Sequence, residues 1–181
     1  MEALYHTVVV SELGRLSSLV TDRGLCGLEF DRPDRQAMLR HRLAQWFPSS
    51  QVADSGHPLR ERVKAWLADY FCGRFHSLEP LPFDLRGTSF ERRVWDLLLE
   101  IPLGSTNTYG GLAEKLTRPN GARAVGLAVG RNPIAIVVPC HRVVGSNGSL
   151  TGYGGGLDRK RWLLEHECSA APLFRAVSGR R

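Results

Sequence analysis

Tyr109-Gly110-Gly111-Leu112-Ala113-Glu114-Lys115-Leu116, Thr117-Arg118-Pro119-Asn120-Gly121 and Ala122-Arg123-Ala124-Val125-Gly126-Leu127-Ala128-Val129 are consecutive, and their reading decides the fold of the C-terminal half. The first and third segments have helical character, and the middle one holds a proline and a glycine at turn positions. Two short helices around such a turn form the outline of a helix-turn-helix. The second helix carries one long polar side chain, Arg123, among small residues. A major-groove reader would present several Arg, Asn or Gln side chains. Two readings of so slim a helix stand: small residues permit close packing, or they allow approach to a narrow groove with one arginine pushed into the duplex.

Upstream, Thr88-Ser89-Phe90-Glu91 has the form of a capping box. The helix it starts carries Phe90, Val94, Trp95, Leu97, Leu98 and Ile101 and stops at Pro102-Leu103-Gly104. Further back, 77–87 hold two prolines and end on Gly87, which predicts a linker from a first domain at 1–76 to a second at 88–168. In the first domain, Leu4 to Val10, Arg15 to Thr21 and Leu25 to Phe30 are punctuated by Gly14 and Gly24 and predict a three-stranded antiparallel meander. Helices follow from Pro33 to about Phe47 and from Pro58 to about Cys72, with Gly73 as C-cap. His6, His41, His57 and His76 are isolated and read as surface or packing residues.

Downstream, the apolar run Ile134-Ala135-Ile136-Val137-Val138 stops at Pro139-Cys140-His141-Arg142. A thiolate is a strong nucleophile and an adjacent imidazole is a usual way to make one. Neighbours on a strand face opposite ways, so Cys140 and His141 cooperate only if the chain turns there. The tetrapeptide by itself is compatible with hydrolase, redox or structural roles.

The 181 residues carry 24 Lys and Arg against 18 Asp and Glu, a net charge of +6 that suits a polyanionic partner without requiring one. The four cysteines show no pairing at metal-site spacing and read as reduced thiols. No apolar stretch reaches the length of a membrane span and the N-terminus lacks a signal-like run, so a cytoplasmic location is expected.

Thr108 to Ala113, Ala122 to Gly126, Arg131-Asn132-Pro133, Ile136 to Val144, Gly152-Tyr153-Gly154-Gly155-Gly156 and Trp162 to Glu167 together resemble the O6-alkylguanine-DNA alkyltransferases. The likeness is close from Thr88 to Glu167 and looser before it. It implies an α+β protein: a small N-terminal β-sheet domain with helices, ribonuclease-H-like, then a helical, winged-helix-like domain containing the helix-turn-helix. The implied activity flips an O6-alkylated guanine out of duplex DNA and moves the alkyl group once, irreversibly, onto Cys140.

The resemblance further implies that His141, through a water and oriented by Glu167, takes the thiol proton. Tyr109 would protonate the departing guanine and crowd the 3′ phosphate, Arg123 would fill the gap in the base stack, and Asn132 would hold the hinge before the active-site strand. Tyr109, Gly110, Ala122, Ala124, Arg118 and Arg123 would face DNA, while Val143, Tyr153, Gly154 and Gly155 would line the base pocket. Arg142 is expected to be an ion-paired structural residue. Thr21 and Cys26 stand where some members have metal ligands, so no metal and no cofactor is expected. Partners would be double-stranded DNA with O6-alkylguanine and no membrane, bound by a monomer that can assemble cooperatively on DNA. The stretch from residue 169 to Arg181 reads as a loose tail. A helix-turn-helix regulator is disfavoured by the sparse base-reading side chains. A Cys-His hydrolase is disfavoured by the adjacency of Cys140 and His141, and a non-repairing relative by Cys140 itself, where such proteins have tryptophan.

Overall fold

A computed structural model describes residues 2–53 and 56–178, without the side chains beyond Ser169. The chain divides into two compact units, one of residues 1–87 with 133–135 and the other of 88–132 with 136–181.

In the first unit, β1 (Ala3–Ser11), β2 (Gly14–Val20) and β3 (Leu25–Phe30) form the expected antiparallel meander. Gly14 takes φ 104°, a left-handed conformation that a residue with a Cβ avoids, so the first hairpin closes where glycine stands. After α1 (Pro33–Trp46), a fourth strand β4 (Gln51–Ala53) pairs parallel to β1, giving the order β3-β2-β1-β4. Leu39 and Leu43 of α1 pack into a core with Leu4, Cys26 and Phe47. Burial pushes the Cys26 thiol up to about 12, which leaves it a small apolar residue. The next helix, α2 (Pro58–Phe71), buries Leu59, Val63, Leu67 and Tyr70 on one stripe, as its spacing predicts.

Residues 77–87 differ from the expected linker because they are fixed on this unit. Leu25 N–H donates to Pro82 O at 2.8 Å, and Asp84 N–H donates to Leu25 O at 3.0 Å. A Cβ at Gly24 would lie 2.5 Å from the Phe83 carbonyl carbon, so this approach needs glycine. Thr21 Oγ1 donates to Asp84 at 2.9 Å, and the Arg86 guanidinium lies 3.9 Å over the Phe47 ring while bonding Glu2 and Asp84. Buried Leu81 and this polar cluster outweigh the turn-forming prolines.

In the second unit the capping box forms at the start of α3 (Ser89–Leu99): Glu91 N–H donates to Thr88 Oγ1 at 3.1 Å and Thr88 N–H donates to the Glu91 carboxylate at 2.9 Å. Such a cap contributes about 1 kcal/mol. A two-residue β5 (Asn107–Thr108) leads into α4 (Tyr109–Lys115), and the turn passes to α5 (Ala122–Gly130). The buried Trp95 donates its indole N–H to Ala128 O at 2.9 Å, which fixes the C-terminal turn of α5 on α3. Beyond it β6 (Val143–Val144) pairs parallel with β5, and α6 (Leu157–Ser178) carries helical backbone into the stretch that reads as a loose tail. Residues 179–181 of that stretch lie outside the described residues. Among the described residues no helix is long and apolar enough to cross a membrane.

Candidate active site

The apolar run 134–138 is not the active-site strand that the resemblance implies. It forms an isolated bridge at Ile134 and then turns, with Ile136 at φ 68°. A β-branched residue in the left-handed region is costly, about 1–3 kcal/mol, and persists only where its surroundings dictate it. Asn132 is part of that dictation. Its side-chain amide donates to Val138 O at 2.8 Å and to the Cys140 sulfur at 3.1 Å, so one residue just past α5 closes the loop and touches the thiol. An N–H aimed at sulfur favours the thiolate.

Cys140 opens a 3-10 turn, Cys140–Arg142. That turn supplies the bend that the adjacent Cys and His require. Cys140 keeps 8% exposure, whereas His141 and Glu167 are at 0%. His141 Nε2 lies 2.8 Å from Glu167 Oε1. Burial works against the Glu167 charge, but hydrogen bonds from His141 and Arg142 overcome it and hold the carboxyl well below the usual carboxylate range. Burial lowers the His141 pKa, so its imidazole rests neutral. A neutral ring facing a carboxylate carries its proton on Nε2, which leaves Nδ1 as the acceptor. That Nδ1 is buried without a hydrogen-bond partner among the described residues.

Arg142 grips the same carboxylate through Nε at 2.7 Å and a second nitrogen at 2.9 Å, and also donates to Ile101 O at 2.6 Å. It is the ion-paired residue that the sequence predicts. Gly104 N–H adds a bond to Glu167 at 3.3 Å. Three groups thus hold Glu167 in place, one of which is the imidazole.

The Tyr109 hydroxyl donates to Thr151 O at 3.2 Å. Burial, with a further contribution from the charge of Cys140, raises its pKa, so the phenol stays a donor. The Tyr153 ring stands edge-on to His141 with centroids 6.4 Å apart, and Val143 is fully buried. Gly155 is buried and Gly154 half-buried. Arg123 and Ala124 are exposed on α5, with Ala122 and Gly110 half-buried. Arg118 sits apart in the turn, its guanidinium 5.4 Å over the Phe90 ring.

One residue of the site escapes sequence reasoning. Lys160 is fully buried on α6 and donates to Val143 O at 2.5 Å and to Thr151 O at 2.7 Å. Burial lowers its pKa to about 8, against an opposing attraction to Cys140. Its signal in the sequence is positional: Lys160, Leu163 and Glu167 fall on one helical stripe, and all three are buried. Lys160→Met is expected to raise the pH at which Cys140 reacts half-maximally with iodoacetamide by about one unit, because a cation beside the thiolate is removed. Lys160→Arg should restore most of the shift, and a profile unchanged in the Met variant would exclude an electrostatic role.

The family model described as 6-O-methylguanine DNA methyltransferase, DNA binding domain, matches residues 89–169, the segment holding every side chain of this site. Across nearly the whole chain, a methylated-DNA-protein-cysteine methyltransferase of Haemophilus influenzae is 36% identical over 167 residues, 92% of this chain and 88% of the relative. The chain belongs to the methylated-DNA-protein-cysteine methyltransferase family. A family member from Mycobacterium bovis is 58% identical over 103 residues, which is 57% of this chain and 62% of that relative's length. Among solved structures, Mycobacterium tuberculosis OGT in complex with DNA superimposes with a TM-score of 0.75 at 39% identity, covering 91% of this chain and 93% of that one. The O6-methylguanine-DNA methyltransferase of Pyrococcus kodakaraensis gives 0.61 at 31% identity, over 92% and 99%. The mixed α+β fold, with its N-terminal sheet and helices, is that of the OGT structures.

Proposed function

We propose that this protein repairs DNA directly, taking the alkyl group of an O6-alkylguanine in duplex DNA onto Cys140 in a single turnover. The observation that carries the reading is the thiol that receives the Asn132 N–H beside a buried imidazole whose far nitrogen is held by Glu167. Displacement at an alkyl carbon passes through no tetrahedral oxyanion. It needs a thiolate and a protonated leaving group, and the site offers both. The thiol proton passes through a bridging water to His141 Nδ1, and the imidazolium is stabilised by the Glu167 carboxylate. Sulfur then bonds the alkyl carbon as the carbon-O6 bond breaks, and its electron pair stays on the guanine, which takes a proton from the Tyr109 hydroxyl. The product thioether has no leaving group comparable to guanine, so the reaction ends there.

In this reading the second unit is the DNA-binding and alkyl-transfer domain, winged-helix-like around its helix-turn-helix, and the first has the ribonuclease-H-like plan of a short mixed sheet with helices. Arg123, on the exposed face of a helix of small residues, enters the duplex, with Tyr109, Gly110, Ala122 and Ala124 against the strand and Arg118 near a phosphate. Tyr153, Val143, Gly154 and Gly155 receive the flipped base. The protein works without cofactor or metal, in the cytoplasm, as a monomer that can assemble cooperatively on DNA.

Incubation with a duplex bearing one O6-methylguanine should add one methyl group to the Cys140 peptide, with a stoichiometry that never exceeds one. Multiple turnover, or labelling that survives Cys140→Ala, would overturn the assignment.

A further inference from the structure

The outward face of α5 has one feature that the proposed chemistry does not use. Val125, Ala128 and Val129 turn inward, and the residues left outside are small, with the exceptions of Arg123, Leu127 and, at the C-cap, Arg131. Leu127 is 59% exposed. Single exposed leucines are ordinary on protein surfaces. This one is set apart by its position. It follows Arg123 by four residues and so lies one turn along the same face of the helix. The helix contributes no acidic side chain, and of the two arginines that bracket the leucine Arg131 is ion-paired with Glu91 at 3.3 Å.

We infer that Leu127 is a DNA-positioning residue, packing its side chain on the deoxyribose edges of the groove that Arg123 enters. The inference rests on the proposed reading of α5 as the duplex-facing helix. A sugar-phosphate strand presents charge outward and an apolar sugar surface within the groove. An arginine at one end of a slim helix face and a branched apolar side chain one turn later match those two surfaces. The neighbouring Gly126 has no side chain, and Tyr109 lies alongside it, its ring at an ordinary contact distance of 3.6 Å from where a Cβ would stand. Leu127 therefore projects beyond its neighbours and sets how the helix sits along the groove, without reading base identity.

The decisive measurement is the affinity of the full chain for an undamaged duplex at several salt concentrations, paired with alkyl transfer to Cys140 from the free base O6-methylguanine. Leu127→Ala removes surface that is already mostly in solvent and improves helix propensity, so the fold should be kept. Duplex affinity should fall on the order of fivefold, the share of a leucine's burial that the groove would provide. The slope of log affinity against log salt should stay unchanged, because no phosphate contact is lost. Leu127→Met should keep nearly wild-type affinity, and free-base transfer should be unaffected in both variants. Equal affinity in the Ala variant and wild type, or a changed salt slope, would overturn the inference. If the Ala variant also loses free-base transfer, the Met variant decides, and weak duplex binding by Met with normal free-base transfer counts against an apolar contact. Failure of the unaltered protein to accept alkyl from any source would instead overturn the repair reading.

Discussion

Glu167→Gln is expected to slow methyl transfer to Cys140 by about 100-fold or more, the scale of losing a positioned proton acceptor. Glu167 touches no substrate in the proposed geometry. It acts through His141, whose Nε2 proton it holds at 2.8 Å. With a neutral amide there, the imidazolium formed on proton transfer loses its counter-charge, and the amide can turn its own N–H toward the ring and reverse the tautomer. Single-turnover rates on a methylated duplex measure this directly. The deficit should shrink as pH rises, because hydroxide then supplies the thiolate that His141 no longer makes. A rate equal to wild type at neutral pH would remove Glu167 from the mechanism.

The same substitution should destabilise the fold. Arg142 loses a carboxylate that it grips with two nitrogens at 2.7 and 2.9 Å, and its side chain is only 11% exposed. Breaking such a buried pair from one side costs about 3 kcal/mol, readable as a shift in the urea midpoint. The pH dependence has a definite sign. Glu167 has a folded pKa below its unfolded value, so its contribution is full above the ordinary carboxylate range, near pH 4–5, and is lost as pH falls toward the folded value. His141, also lowered in the folded state by burial, acts in the same direction from about pH 6.5 downward, because the unfolded chain takes up the proton first. Wild-type stability should therefore fall on acidification. In Glu167→Gln the loss below about pH 5 should be smaller.

What could be read from the residues alone depended on how local the deciding interaction is. The three-stranded meander was legible because Gly14 and Gly24 stand at its turns, and α3 because Thr88 and Glu91 cap one another within one turn. Strand β4 was not, since three residues between Pro48 and Gly56 show no alternation and pair with β1 only through a crossover that includes α1. Residues 134–138 mislead for the opposite reason. Their β-branched composition fits a strand, yet the Asn132 amide joins the loop to Val138 and Cys140, and Ile136 turns left-handed. In the site, the cooperation of Cys140 with His141 was an option in the sequence, and the 3-10 turn at Cys140–Arg142 is the bend that it requires. Lys160 stayed hidden because a lysine flanked by Arg159 and Arg161 reads as solvated helix surface until its register with Leu163 and Glu167 is counted.

Arg123→Ala separates the two tasks of the proposed reaction, flipping and transfer. Extruding a base costs a few kcal/mol, and a side chain that fills the vacated stack returns part of that cost. If Arg123 supplies about 2–3 kcal/mol, its loss lowers repair of a methylated duplex about 30- to 150-fold, each 1.36 kcal/mol being tenfold in rate. Transfer from the free modified base requires no flipping and should be unchanged, since Arg123 is exposed on α5 whereas Asn132, His141 and Glu167 are buried. The duplex itself offers a graded control. Placing the lesion opposite a poorly pairing base, or in a short gap, lowers the cost of extrusion, so the ratio of wild-type to variant rates should fall in step with duplex stability. Arg118→Ala should behave differently, because a side chain near a phosphate contributes to affinity and salt dependence rather than to extrusion, and its deficit should be uniform across those duplexes. Equal losses for free base and duplex in the Arg123 variant, or a ratio indifferent to pairing strength, would show that Arg123 supports the site as a whole and that something else keeps the base extruded.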